Sequence, residues 1–128
     1  MQVLTFLLEK EIYTIDTKNV IEIDNMLPLT KVPNAKAHVI GLANLRGSVV
    51  PVIDIKMILN IPRKEPEAKI IIINYNGEKI AISVNDIDEV IDITEDNIEM
   101  IATEKPTTVV NLNGRIITLI GNDEMSLI

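Results

Sequence analysis

Short apolar runs, broken at close intervals by glycine, asparagine, proline or charge, set the pattern of this chain, and most have the length and composition of β-strands. Val3 to Leu8 and Glu11 to Ile15 form a hairpin around Glu9-Lys10, and Val20 to Ile23 continues the strand theme. Pro28 and Pro33 make the next connection irregular, with a turn of helix expected from Asn34 to His38. Val39 to Leu45 and Val49 to Ile53 then read as strands joined through Arg46, Gly47 and Ser48. Gly47 is assigned the positive φ of that reversal, since it alone adopts it without a side-chain clash. Pro51 has no N–H to give a ladder, which points to an edge strand or a bulge. Asp54 can cap the free N–H groups of a helical turn over Ile55 to Leu59.

Asn60 to Glu67, NIPRKEPE, exchanges the apolar pattern for prolines and charge and reads as a linker. Beyond it, Lys69 to Tyr75 and Lys79 to Val84 form a hairpin around Asn76-Gly77, and Glu89 to Ile93 is a further strand. The acidic stretch Asn85 to Glu89 lacks the central glycine and later ligands of a calcium loop and reads as a solvated turn with a helix cap. Ile98 to Ile101 is short and ambiguous. Thr107 to Leu112 and Arg115 to Ile120 form a last hairpin around Asn113-Gly114.

These elements repeat. A shift of 67 residues lays Asn44 to Ile53 on Asn111 to Ile120, and Glu11 to Ile15 on Glu78 to Ile82. With three more residues of offset, Val20 to Ile23 falls on Val90 to Ile93. The expected organisation is all-β: a first unit over 1–60, with strand exchange at its N-terminus allowed, a linker over 61–67 and a second unit over 68–128. Each unit would be a small closed or partly closed β-barrel with short helical turns. Barrels of that size bury little apolar surface alone, so the two should pack together and leave a groove between them.

Composition narrows the chemistry. Hydrophobic residues make up 47% but aromatics only 2%, so the core is aliphatic, and the absence of cysteine removes disulfides and thiolate chemistry. His38 is the one histidine, with no second histidine or cysteine to complete a metal site, and no phosphate loop or nucleophile elbow is present. The reading is a non-enzymatic protein without cofactor. A net charge of −7 and three aromatic residues disfavour nucleic acid, and no apolar run is long enough to insert in a membrane. Glu22 and Arg46 are opposite charges in neighbouring elements of the first unit. The second unit has Asp92 and Asn113 at the matching places, so a binding role is favoured for Arg46 over a general fold requirement.

The block Asn44-Leu45-Arg46-Gly47-Ser48-Val49-Val50-Pro51-Val52-Ile53-Asp54-Ile55 resembles the N-L-R-G-x-V-x-P-V-x-D-L signature of CheW-like domains, the coupling proteins of bacterial chemotaxis. Tyr13 to Asp16 followed by Val20-Ile21-Glu22-Ile23 is similar to that family's Y-x-I and V-x-E-I block. The resemblance implies two SH3-like five-stranded barrels and a cytoplasmic scaffold joining chemoreceptor tips to the regulatory domain of a histidine kinase. It implies a receptor-binding groove at Arg46, Glu22, Val20 and Ile23, and signature-hairpin residues Asn44, Leu45, Gly47, Pro51 and Asp54. A regulatory module serving another chemosensory or pilus-motility pathway, with a different kinase or response regulator, is the alternative. The chain departs from the family in its last quarter, where Gly121 takes the place of an acid.

Overall fold

The computed structural model describes residues 1–102 and 106–121, which form two β-sheets. The strands are β1 (Gln2–Leu8), β2 (Glu11–Asp16), β3 (Val20–Asn25), β4 (Val39–Leu45), β5 (Ser48–Ile53), β6 (Lys69–Tyr75), β7 (Glu78–Val84), β8 (Asp86–Asp92), β9 (Ile98–Ile101), β10 (Thr107–Leu112) and β11 (Arg115–Leu119). One short helix, α1 (Ile55–Ile58), follows β5; Asp54 caps it by accepting from the Met57 N–H at 3.3 Å. Asn34 to His38 forms turns rather than the expected helix, and the acidic stretch after Asn85 is strand, not a solvated turn.

The sheets cut across the sequence halves. One sheet has the order β3-β6-β7-β5-β4 and the other β8-β1-β2-β11-β10-β9. Each half therefore lends its first hairpin to the other half's sheet, so the division between sheets does not fall at 61–67. One sheet has five strands and the other six, β9 being the extra edge strand, and pairing leaves β3 and β4, or β8 and β9, as open edges. The expectation of two closed or partly closed five-stranded barrels is met in the two packed sheets, while the strand count of the second is six and neither sheet closes by strand pairing. The connection after β3 meets the β4 edge locally, through the isolated bridge between Thr30 and Leu42. Gly41 makes that crossing feasible: a Cβ there would lie 3.0 Å from both Leu29 Cβ and the Thr30 carbonyl oxygen.

The exchange is two-fold in its pairing, and one shift of 67 residues carries every ladder onto its mate except that of the extra strand β9 with β10. The parallel pair Val52↔Ala81 maps onto Leu119↔Thr14, Ile71↔Ile82 onto Leu4↔Ile15, and Leu45↔Ser48 onto Leu112↔Arg115. In the third strand, Val20↔Ile73 and Ile23↔Ile71 map onto Ile87↔Phe6 and Val90↔Leu4, with a bulge at the same place in both. Val20 to Ile23 thus corresponds to Ile87 to Val90, and the mate of Glu22 is Glu89, not Asp92. Matching apolar letters had slid that strand by three residues.

Pro51 leaves a signature in this symmetry. Pairing of β5 with β7 begins at Val52, whereas its mate begins one residue earlier, at Thr118↔Tyr13. The missing proline N–H accounts for the lost position. The strand is nevertheless interior, not the edge that Pro51 suggested.

Burial explains the apolar runs. Ile71 and Ile73 face a core shared between the sheets with Leu4, Phe6, Leu8, Ile80 and Ile82, while Ile70 and Ile72 face the interior of the five-stranded sheet with Val50 and Val52. On β1, Val3 faces the interior of the six-stranded sheet and Leu4, Phe6 and Leu8 the shared core. Strands covered on both faces lose polar alternation and read as continuous hydrophobic runs. Each such isoleucine contributes about 2 kcal/mol of burial.

The segment read as a linker is fastened by charge. Lys56, 1% exposed, donates to Glu9 Oε1 at 2.8 Å and to the Glu65 carbonyl at 3.3 Å, and lies 3.6 Å from Glu67 Oε1. Arg63 bridges Glu67 and the buried carboxylate of Asp54. Glu9 stands at the β1–β2 turn with φ of 58° and also accepts from the backbone N–H groups of Lys64 and Glu65. The chain of groups ties the exchanged hairpin to α1 and to the strap over 61–67. In the sequence only the Arg63–Glu67 spacing hints at it.

Removing the buried ammonium leaves Glu9 without its cation, while Glu67 keeps Arg63. Lys56→Met is expected to lower unfolding stability by about 3 kcal/mol or more, read by denaturant titration. The hydrogen bond from Lys56, then that from the Lys64 N–H, holds the Glu9 carboxyl at about 2 against an ordinary 4.5. Its stabilising contribution is therefore complete above 4.5 and lost as pH falls toward 2. The gap in Tm between the wild type and Glu9→Gln should be widest near neutrality and close across that window.

Candidate functional site

The junction of the two sheets is where edge strands β3 and β8 approach each other. A hollow of 260 Å³ is lined there by Gln2, Leu4, Thr17, Val20, Ile23 and Val90. The bulge between Val20 and Glu22 turns Val20 and Ile23, three apart, toward the same hollow; an unbroken strand would set them on opposite faces. Ile23 and Val90 are mates under the repeat, so the hollow straddles the relation between the two halves. Exposure of 41% at Ile23, 45% at Ile21 and 54% at Val90 leaves an apolar strip open to solvent. Apolar side chains clustered along two unpaired strand edges suit a partner's side chains better than a small polar substrate.

Glu22, next to Ile23 in the strand, points away from the hollow and forms an ion pair with Arg46. The guanidinium is 68% exposed and the carboxylate 24%. Donating a hydrogen bond to the Glu22 carboxylate raises the Arg46 pKa above its ordinary value, so the group is always charged. The four residues expected to form one site are therefore two pairs: Val20 and Ile23 in the hollow, Arg46 and Glu22 bridging the tip of the β4–β5 hairpin to β3. Asp54 takes part in neither, being 1% exposed and held by Arg63.

Three hairpins share one turn design. The Asn44, Asn74 and Asn111 side chains each accept from the N–H of Gly47, Gly77 and Gly114 at 2.9 Å. In each, the residue before the glycine also has positive φ: 49° at Arg46, 50° at Asn76 and 53° at Asn113. Gly47 therefore does not carry the reversal alone. Asparagine tolerates this left-handed conformation far better than other residues, so arginine at this position works against the turn. What the arginine gains in exchange is the ion pair with Glu22. Leu45 is buried in the interior of the five-stranded sheet, and among the described residues no group of three or more His, Asp or Glu is placed to hold a metal ion.

Arg46→Asn should give the turn the residue its mates use while removing the bridge to Glu22. The expected outcome in thermal unfolding is an unchanged or higher Tm; a fall of several degrees would show that the ion pair outweighs the turn.

A profile for the CheW-like domain matches residues 2–126. The chain is 34% identical over 100 residues to the chemotaxis protein CheW of Bacillus subtilis, an alignment covering 77% of this chain and 64% of that protein. It is 26% identical over 130 residues to the chemotaxis protein CheW of Thermotoga maritima, covering 97% and 86%. The first relatives are thus spanned over less than two thirds of their length. The crystal structure of the scaffolding protein TtCheW from Thermoanaerobacter tengcongensis superposes with a TM-score of 0.84 at 28% identity, over 94% of this chain and 88% of that one. Sequence profile, double-sheet fold and signature hairpin converge: the chain belongs to the CheW-like domain family.

Proposed function

We propose that this chain is a non-enzymatic coupling scaffold of a chemotaxis array, joining chemoreceptor cytoplasmic tips to the regulatory domain of a histidine kinase. The relatives are chemotaxis proteins and the superposed structure is a scaffolding protein, which supports the general role. The observation that carries the receptor part is the open apolar hollow at the sheet junction, with Val20, Ile23 and Val90 in its lining. In this reading each sheet is the wall of one of the family's small SH3-like barrels. The receptor tip lies against the strip between them, and Arg46 and Glu22 stand beside it as a charged, hydrogen-bonding margin. No described helix is long and apolar enough to cross a membrane, and the reading places the protein in the cytoplasm, held to membranes through its partners.

The reading is tested by titrating a receptor-tip fragment and a kinase regulatory domain separately against the chain. Ile23→Asp buries a carboxylate under the partner without disturbing a core residue. It should weaken tip binding at least tenfold, with Tm and kinase-domain binding unchanged. Arg46→Glu should also weaken tip binding while the fold survives. Equal tip binding by both variants would sink the receptor assignment, and binding only to a different kinase or a response regulator would move the chain to another pathway.

A further inference from the structure

Two of the three matched hairpin turns carry an asparagine directly before their glycine, and the third carries Arg46 there. Asn76-Gly77 and Asn113-Gly114 are the only Asn-Gly pairs in the sequence, and both asparagines are exposed. Asparagine is thermolabile, and a following glycine has no side chain to shield its backbone nitrogen. In this fold a second asparagine stands over that nitrogen. Asn74 accepts from the Gly77 N–H and Asn111 from the Gly114 N–H, both at 2.9 Å. A nitrogen engaged as a donor keeps its proton, and it must lose that proton before it can attack a carbonyl carbon.

The two guarding side chains are not held alike. Asn111 is half-buried, and besides accepting from Gly114 its amide donates to Glu99 Oε2 at 3.1 Å. Its backbone carbonyl accepts from Asn97 Nδ2 at 3.0 Å. Glu99 belongs to β9, the extra strand of the six-stranded sheet, so that strand buttresses the turn. Asn74 is exposed, and its amide nitrogen donates to no group among the described residues. A side chain held by one bond in solvent spends more time away from it than one held by two and partly buried.

We propose that Asn76 is a site of spontaneous deamidation in the folded chain, opened when Asn74 swings off the Gly77 nitrogen, and that β9 spares Asn113 by holding Asn111. In the step, Gly77 N bonds to Asn76 Cγ, and the side-chain nitrogen leaves as ammonia with the proton that Gly77 gives up. Water then opens the cyclic imide at either carbonyl, leaving aspartate or isoaspartate. The new negative charge falls at a defined place. Asn76 lines a hollow of 340 Å³ together with Lys18, Asn19, Asn74 and Tyr75. The shift of 67 residues lays Asn76 on Glu9, which shares its left-handed φ, 58° against 50°. Deamidation thus gives the second half an acid at the position where the first half uses one to gather Lys56 and the strap.

The test holds the folded chain in a mildly alkaline buffer and counts aspartate and isoaspartate at both sites over time by peptide mass spectrometry. Rates are taken relative to those of the same chain unfolded in urea, so that what differs belongs to the fold. In the wild type, Asn76 should convert about fivefold faster than Asn113, the worth of one neutral hydrogen bond. Asn74→Ala should raise the Asn76 rate by a similar factor and leave Asn113 unchanged, while Asn74→Asp, which keeps the accepting oxygen, should stay near the wild type. Glu99→Ala should bring Asn113 up toward Asn76. Equal rates at the two sites in the folded wild type overturn the proposal. So does an Asn74→Ala variant in which the Asn76 rate is unmoved, or in which both sites speed up together as simple loosening of the fold would make them.

Discussion

Two hairpins, β1–β2 and β6–β7, have to be covered on both faces, and the rest of the molecule is arranged to cover them. Each pairs with strands of the other sequence half and presents one face to the interior of its own sheet and the other to the shared core. The run Ile70 to Ile73 is the plainest statement of that constraint. A small single sheet would leave one side of these strands wet, so the exchange converts two marginal sheets into one body with an aliphatic centre. The near-absence of aromatic residues follows, because branched aliphatics pack well between closely apposed pleated surfaces.

Charge closes what apolar burial leaves open. Glu9 sits at a turn with unfavourable φ, and Lys56 is an ammonium with 1% exposure; either alone would be a liability. Together with Glu67, Arg63 and Asp54 they satisfy one another and hold the strap over 61–67 against the exchanged hairpin. On the opposite edge, Arg46 and Glu22 form a far more exposed pair. The contrast separates the two groups: the buried network holds the architecture, and the exposed pair sits on a turn that would prefer asparagine.

Most strands were legible from apolar runs and turn residues, because asparagine-glycine turns and β-branched clusters have few alternative uses. The repeat was legible too, but its third strand was misaligned: Val20 to Ile23 matches Val90 to Ile93 by letters, while the ladder places it on Ile87 to Val90. A bulge inserts a residue without changing composition, so only hydrogen-bond register reveals it. Exchange was allowed for the N-terminal strands of the first unit, but its counterpart, β6–β7, was hidden, since a strand's sequence records how many of its faces are buried and not which half of the chain covers them. Of the candidate site, Val20 and Ile23 were found in one hollow and Glu22 with Arg46 in another place. Val90 and Gln2 were missed because they arrive from the other sheet.

The parallel ladder between β2 and β11 joins residues near the two ends of the described chain, Thr14 with Leu119. Contacts of such sequence separation close a loop of nearly the whole polypeptide and form late and slowly. During synthesis, the N-terminal hairpin emerges first and has no sheet to join until the strands that receive it have left the ribosome. For that interval Val3, Leu4, Phe6 and Leu8 are uncovered, and the hairpin's strand edges are open to pairing with neighbouring chains. Partner strands drawn from both halves bind the fold together: the first hairpin cannot be covered by its own half, and a chain interrupted before β11 leaves the β2 edge of that hairpin unpaired.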